Sequence, residues 1–197
     1  MKLRYSPTSP YVRKVMVLAK EAGLDGKIEP VTTNTTDPGL WGENPIGKVP
    51  TLITDDGGVL YDSPVILEYL DSLHGGTKFI PASGAERWKA LKLEALADGI
   101  LDAAVLRRGE ILRTANQSPE FLAKQGQVVN RCLDALEKDA ASLDGALTVG
   151  VISVGCALGY LDFRFAADEW RKGRPKLTAW YAAFSKRPSM ASSVPPG

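Results

Sequence analysis

The sequence predicts a chain in two parts, a small mixed α/β domain over residues 1–75 and an all-α domain over 85–197. Three observations carry this. Strand-like and helix-like stretches alternate through the first seventy-odd residues, as layered α/β units require. Asp55-Asp56-Gly57-Gly58 lies between two short β-branched runs and marks a hairpin. Beyond Pro81 there is no strand signal, only long apolar stripes at helical spacing.

The first strand is Leu3 to Tyr5, where apolar residues alternate with charged neighbours and Pro7 ends the run. Ser9-Pro10 then supplies a cap and an N1 proline, the pairing that best opens a helix. Val12, Val15, Met16, Ala19 and Ala22 continue it, and Gly23 marks its stop. Ile28 to Val31 forms a second strand, and Pro30, which donates no ladder bond, assigns it to a sheet edge. Asp37-Pro38 opens a short helical turn toward Trp41. Thr51–Thr54 and Val59–Tyr61 make the hairpin, and Ser63-Pro64 repeats the cap logic ahead of Val65, Ile66, Tyr69, Leu70 and Leu73. The expected sheet is mixed. The first strand–helix–strand unit is parallel with a right-handed crossover, and the hairpin is antiparallel.

Gly75-Gly76 and Pro81 mark a linker over 76–84. A long helix of roughly 40 Å follows over Glu86 to Arg113 at ~1.5 Å per residue, its stripe read as Trp88, Leu91, Ala95, Gly99, Ala103 and Leu106. Ser118-Pro119 caps the next, with Phe121, Val128, Val129, Cys132, Leu133, Leu136 and Ala140. Thr148 begins a helix that carries no charge before Asp162, a core helix of a soluble domain rather than a membrane span because it is short and glycine-rich. Leu177, Trp180, Tyr181 and Phe184 mark a last helix ended by Arg187-Pro188, and the Ser/Pro-rich tail is expected to be extended or disordered.

Composition narrows the chemistry. A net charge of +1 excludes a strong whole-chain field for nucleic acid or anionic membrane. The one histidine, His74, and the two cysteines, Cys132 and Cys156, make a zinc site or a histidine triad hard to build. Both cysteines lie on apolar helical stripes and read as buried reduced thiols. No secretory h-region follows Lys2 and Arg4, so the expected location is the cytoplasm. The Ser9 hydroxyl stands at the positive end of a helix dipole, a place that suits an anion such as a thiolate.

Three blocks carry a resemblance: Ser9-Pro10-Tyr11-Val12-Arg13-Lys14-Val15, Asn44-Pro45-Ile46-Gly47-Lys48-Val49-Pro50-Thr51-Leu52 and Tyr61-Asp62-Ser63-Pro64-Val65-Ile66-Leu67-Glu68-Tyr69-Leu70. In order and spacing they resemble the cytosolic glutathione transferases of the bacterial, serine-type kind. The resemblance implies a thioredoxin-like N-terminal domain with a mixed four-stranded sheet, then an all-helical domain, in a cytoplasmic homodimer that takes glutathione as co-substrate and needs no metal. It implies that Asp62 meets the α-amino group of glutathione, and that the Ser63 hydroxyl and N–H groups hold the γ-glutamyl carboxylate. It also implies that a cis Val49–Pro50 bond leaves the Val49 backbone free for the cysteinyl residue. Lys48 is either a solvated charge or the counter-charge of the glycyl carboxylate.

Ser9 is the expected thiol-activating hydroxyl, with Tyr5, Ser6 and Thr8 as near alternatives. A serine there leaves a mixed-disulfide reaction without its nucleophile. The implied reaction is attack of the glutathione thiolate on a small hydrophobic electrophile, a detoxifying conjugation, with the second substrate near Tyr11 and Leu101 to Arg108. A glutathione-dependent reductase or peroxidase without a protein thiol, and a non-catalytic glutathione-binding protein, remain as alternatives. One departure stands out. The family opens its central helix with Ser/Thr-x-x-Asp, whereas Thr148 is followed by Val149, Gly150 and Val151, which puts the start of that helix in doubt.

Overall fold

A computed structural model describes residues 1–196. The chain divides into two compact units, one of residues 1–82 together with the C-terminal tail from 188, the other Ser83–Arg187.

In the first unit β1 (Lys2–Tyr5), α1 (Pro10–Glu21), β2 (Glu29–Thr32), α2 (Pro38–Glu43), β3 (Thr51–Ile53), β4 (Val59–Leu60) and α3 (Ser63–Ser72) follow in the predicted order. The four strands make one mixed sheet in the order β2-β1-β3-β4, with β1 and β2 parallel and the other pairs antiparallel. Pro30 lies on the edge strand, as its missing N–H requires. Leu3 and Leu52 of the sheet are fully buried, as are Val15 and Leu18 of α1 and Ile66, Leu67 and Leu70 of α3. Each such side chain is worth roughly 1.5–3 kcal/mol of apolar burial. These apolar faces hold the ends of β1, α1 and α3 in fixed positions, which matters for the site below.

The segment after α3 is ordered rather than a loose connector. Buried Asp71 accepts the Phe79 and Ile80 N–H groups at 2.9 and 3.0 Å and contacts His74 Nε2 at 2.9 Å. Phe79 and Ile80 are thereby buried.

The tail also differs from its expectation. Residues Pro188–Ala191 form a short helix, α8, that packs on α1. Arg13, itself buried, donates to Met190 O at 3.1 Å and to Ser193 Oγ at 3.2 Å. Lys20 Nζ reaches Ser192 Oγ at 2.8 Å, and the Ser189 hydroxyl donates to Glu21 at 2.5 Å. Met190 is buried as a core residue. A single apolar anchor flanked by polar partners on α1 is enough to fix a stretch whose composition alone favours disorder.

The second unit is helical: α4 (Gly84–Ile111), α5 (Pro119–Lys138), α6 (Val149–Arg164) and α7 (Pro175–Phe184). Helix α6 is buried from Val149 to Leu161, as its lack of charge predicts. Its missing acid does not prevent the cap, because the Thr148 hydroxyl alone accepts the Val151 N–H at 3.3 Å. Glu137 of α5 accepts the Lys176 and Leu177 N–H groups at 3.2 and 2.8 Å and so caps α7 from outside that helix.

The stripe expected on α4 is not its packing face. Trp88 is 68 % exposed, and Ala95 and Leu106 are also exposed. The buried face is Ala90, Glu94, Ala97, Ile100, Leu101, Ala103 and Ala104, so of the expected stripe only Ala103 is buried. The reason lies on α6. A Cβ at Gly150 would stand 2.5 Å from Ala90 O and 2.7 Å from Leu93 Cβ. The two helices approach closely at Gly150, where the α4 backbone at Ala90 and Glu94 leaves no room for a side chain on α6, so the face that packs is set by this approach and not by the largest apolar residues.

Candidate active site

Three segments of the first unit are brought to one end of its sheet by strand register. Arg4 of β1 stands opposite Thr51 of β3, so the β1–α1 turn with Tyr5, Ser6, Thr8 and Ser9 leaves the sheet beside Val49-Pro50. Leu60 of β4 stands opposite Leu52, so Tyr61-Asp62-Ser63 runs out at the same end.

Ser9 is the N-cap of α1, in extended backbone, and its hydroxyl oxygen accepts the Val12 N–H at 3.3 Å. The Ser9 N–H donates to Ser6 O at 3.1 Å, which closes the turn. A hydroxyl that accepts from the helix keeps its own proton to donate outward. The Ser6 and Thr8 hydroxyls lie 3.5 Å from each other, and Tyr5 is half-buried on β1.

At α3 the cap shifts by one residue from its expected place. Asp62 is the N-cap, its carboxylate makes no capping bond, and Ser63 is the first helical residue, with Pro64 following. Ser63 is 2 % exposed, and Asp62 is exposed. The Ile66 N–H bonds Asp62 O at 3.1 Å. The N–H groups of Ser63 and Val65, one turn earlier, have no intrahelical acceptor. An exposed carboxylate beside unclaimed donors suits a ligand that carries both an amine and a carboxylate.

Between them runs the loop Asn44–Pro50. The Val49–Pro50 bond is cis, as is Tyr61–Asp62. Lys48 is exposed, Val49 half-buried and Pro50 buried. Asn44, only 1 % exposed, organises this loop. Its amide nitrogen donates to Lys48 O at 3.1 Å and to Thr51 Oγ1 at 2.8 Å, and its oxygen accepts the Ile46 N–H at 2.9 Å. The Thr51 hydroxyl adds a bond to Lys48 O at 3.0 Å. Just upstream, Glu43 takes a two-pronged ion pair from Arg4, with Nε–Oε2 at 2.7 Å and Nη2–Oε1 at 2.5 Å. Those hydrogen bonds hold the Glu43 carboxyl below its ordinary range, against the opposing effect of burial, and raise the Arg4 guanidinium. Asn44 and Thr51 were not anticipated as site-building residues. The Asn-Pro-Ile-Gly run does signal the Asx-type bond to Ile46, but the other bonds depend on strand β3 being in place.

Family models agree with this architecture. The model described as the glutathione S-transferase N-terminal domain matches residues 8–73, and that of the C-terminal domain matches 119–183. The chain belongs to the glutathione S-transferase family. An uncharacterized GST-like protein of Escherichia coli K12, YibF, is 37 % identical over 200 residues, spanning 100 % of this chain and 99 % of its own. A glutathione transferase family member from Pseudomonas fluorescens Pf-5, solved with bound glutathione, is 46 % identical at a TM-score of 0.97, covering 100 % of this chain and 99 % of that one. A second structure from that organism holds S-(propanoic acid)-glutathione, at 46 % identity, a TM-score of 0.93 and full coverage of both chains.

Glutathione is the ligand held by the Pseudomonas fluorescens structure. Glutathione presents one ammonium, two carboxylates, two peptide units and a thiol. The first unit offers the Asp62 carboxylate, the Ser63 and Val65 N–H groups, the Val49 backbone, the Lys48 ammonium and the Ser9 hydroxyl, each of matching sign. The cysteines are elsewhere. Cys132 is half-buried on α5, where burial raises its thiol pKa against the nearby Arg131, and Cys156 is buried on α6. Among the described residues no cluster of His, Cys, Asp and Glu is placed to hold a metal, and no helix is long and apolar enough to cross a membrane.

Proposed function

We propose that this protein binds reduced glutathione on its first unit and catalyses attack of the glutathione thiolate on a small electrophile. Asp62 pairs with the α-amino group, and Ser63 and the α3 N-terminus hold the γ-glutamyl carboxylate. The Val49 backbone pairs with the cysteinyl residue, and Lys48 faces the glycyl carboxylate. Ser9 donates a hydrogen bond to the sulfur and so favours the thiolate. It is a donor, not a covalent nucleophile. The single observation that most supports this is the register of β1, β3 and β4, which gathers the Ser9 turn, the Lys48–Pro50 loop and Asp62-Ser63 at one sheet end.

The relatives support the same reading. The Pseudomonas fluorescens protein was solved with glutathione and with S-(propanoic acid)-glutathione. The second ligand is a thioether of glutathione, the class of product that conjugation makes and that reduction of a peroxide or disulfide does not. The resemblance also carries a homodimer in the cytoplasm, which sedimentation and cell fractionation test directly.

Asp62→Ala tests the ligand assignment. The substitution should weaken glutathione binding by about 1.5–3 kcal/mol, the usual worth of a hydrogen bond to a charged group. Unchanged affinity by titration calorimetry on the folded variant would remove Asp62 from the site.

A further inference from the structure

The C-terminal tail is tied to the side of α1 at whose head Ser9 stands. Arg13, Lys20 and Glu21 recur at helical spacing on one side of α1, and Ser9 lies one turn before Arg13 in the same row. All three touch the tail. Arg13 donates from Nη2 to Met190 O at 3.1 Å and from Nε to Ser193 Oγ at 3.2 Å. Lys20 Nζ donates to Ser192 Oγ at 2.8 Å, and the Ser189 hydroxyl donates to Glu21 at 2.5 Å. Met190, fully buried, anchors the stretch. Tail and α1 belong to the same compact unit.

Arg13 is the link that reaches the site. It is buried, and a desolvated cation is costly unless its N–H groups are hydrogen-bonded. The tail supplies acceptors, so the Arg13 side chain and the tail hold each other in place. The Arg13 backbone N–H donates in turn to Ser9 O at 3.1 Å, at the start of the helix. Ser9 is therefore bonded directly to the residue that the tail pins. Another side of α1, with Val12, Val15 and Leu18, is buried in the core, and α1 packs on α3. We infer that the C-terminal tail is a strap that sets the position of α1, and that Arg13 is the positioning residue through which it fixes the Ser9 hydroxyl against the sulfur of glutathione. This rests on the thiol-activating role proposed for Ser9 above. A hydrogen bond depends steeply on geometry, and a misplacement of about 1 Å at a reacting group can cost about 100-fold in rate. Because the apolar side of α1 stays packed, loss of the strap should cost less than that.

The test uses Met190→Ala, which weakens the anchor of the strap without changing a charge, beside Arg13→Gln and the milder Ser193→Ala. Two quantities are read on the folded full chain. One is the pH at which the glutathione thiol ionises in the complex, and the other is the affinity for S-methylglutathione, which has no thiol to activate. Met190→Ala and Arg13→Gln should each raise the thiol ionisation by about half to one unit, a roughly three- to tenfold loss of thiolate. Affinity for S-methylglutathione should stay within about twofold of wild type. The double variant should be little worse than Arg13→Gln alone, because both changes act through one link. Met190→Leu, which keeps the apolar volume, should restore the wild-type curve. A Met190→Ala curve that superimposes on wild type overturns the inference, as do additive shifts in the double variant, which would separate Arg13 from the tail. An equal fall in thiol ionisation and in S-methylglutathione affinity also overturns it, because the unit would then be loosened as a whole. If Met190→Ala does not fold, Ser193→Ala takes its place, with an unmoved curve as the refuting result. A wild-type complex whose thiol ionises like free glutathione removes the Ser9 role itself, whereas a shifted wild type with unmoved variants removes only the strap.

Discussion

Asn44→Ala isolates what holds the Lys48–Pro50 loop. The amide makes three hydrogen bonds, to Lys48 O at 3.1 Å, Thr51 Oγ1 at 2.8 Å and from Ile46 N at 2.9 Å. Thr51 keeps its own bond to Lys48 O, so the loop loses most of its bracing but not all. At about 1 kcal/mol per bond, plus the cost of leaving the buried groups unpaired, the loss should be about 2–4 kcal/mol. For a chain of this size each kcal/mol lowers Tm by about 2–4 °C, so calorimetry should show a fall of roughly 4–16 °C. The loop carries the Val49 backbone, so glutathione affinity should fall with it, by about tenfold for one loosened backbone pairing. A Tm within 2 °C of wild type together with unchanged glutathione affinity would refute the claim that Asn44 positions the loop.

Two further changes probe other parts of the account. The double change Cys132→Ala, Cys156→Ala should lower stability by lost packing, chiefly at fully buried Cys156, yet leave turnover per folded molecule nearly intact. A loss beyond about tenfold in kcat would return a thiol to the mechanism. Glu43→Gln probes pH. The folded Glu43 pKa lies below its ordinary 4.5 because Arg4 hydrogen-bonds the carboxylate. Its stabilising contribution is therefore fully present above that value and fades as pH falls through the lower folded pKa. In thermal unfolding Glu43→Gln should be less stable than wild type above about pH 5, and the difference should shrink as pH falls below the ordinary glutamate range. A constant difference across that range would show that the ion pair is not responsible.

The order of elements in the first unit was legible because each boundary had a local chemical cause. Ser9-Pro10 starts α1, Pro30 marks the edge strand, and Asp55-Asp56-Gly57-Gly58 turns the hairpin. Local signals also located Thr148 as a cap, and the cap works without the acid that usually accompanies it. What failed depended on which surface meets which. On α4, large Trp88 and Leu106 suggested a core face, but the buried face runs through Ala90, Glu94, Ala97, Ile100, Leu101, Ala103 and Ala104, and Gly150 of α6 lets the backbones approach at Ala90. The tail reads as disordered until Met190 is seen buried beside the partners of Arg13. Ser63 was read as the α3 cap, yet Asp62 takes that place. The Asp62 carboxylate makes no capping bond and is exposed at the helix start. Asn44 escaped notice for a related reason, because its amide acts across a loop closed only by β3.

If the Ser9 hydroxyl favours the thiolate of bound glutathione, as proposed, thiolate absorbance of the protein–glutathione complex followed against pH reports it most directly. A free thiol of this kind ionises near 8.5, and a helix N-terminus with a hydroxyl donor should bring the bound thiol toward roughly 7. Ser9→Ala should move the curve back by about one unit, close to 1.4 kcal/mol, and lower turnover roughly 10–1000-fold. The fold should survive a cap loss of about 1 kcal/mol. Tyr5→Phe and Thr8→Ala should leave the curve in place. Movement only in Tyr5→Phe or Thr8→Ala would transfer the role to that hydroxyl, and a wild-type thiol that ionises no more easily than free glutathione would contradict the account.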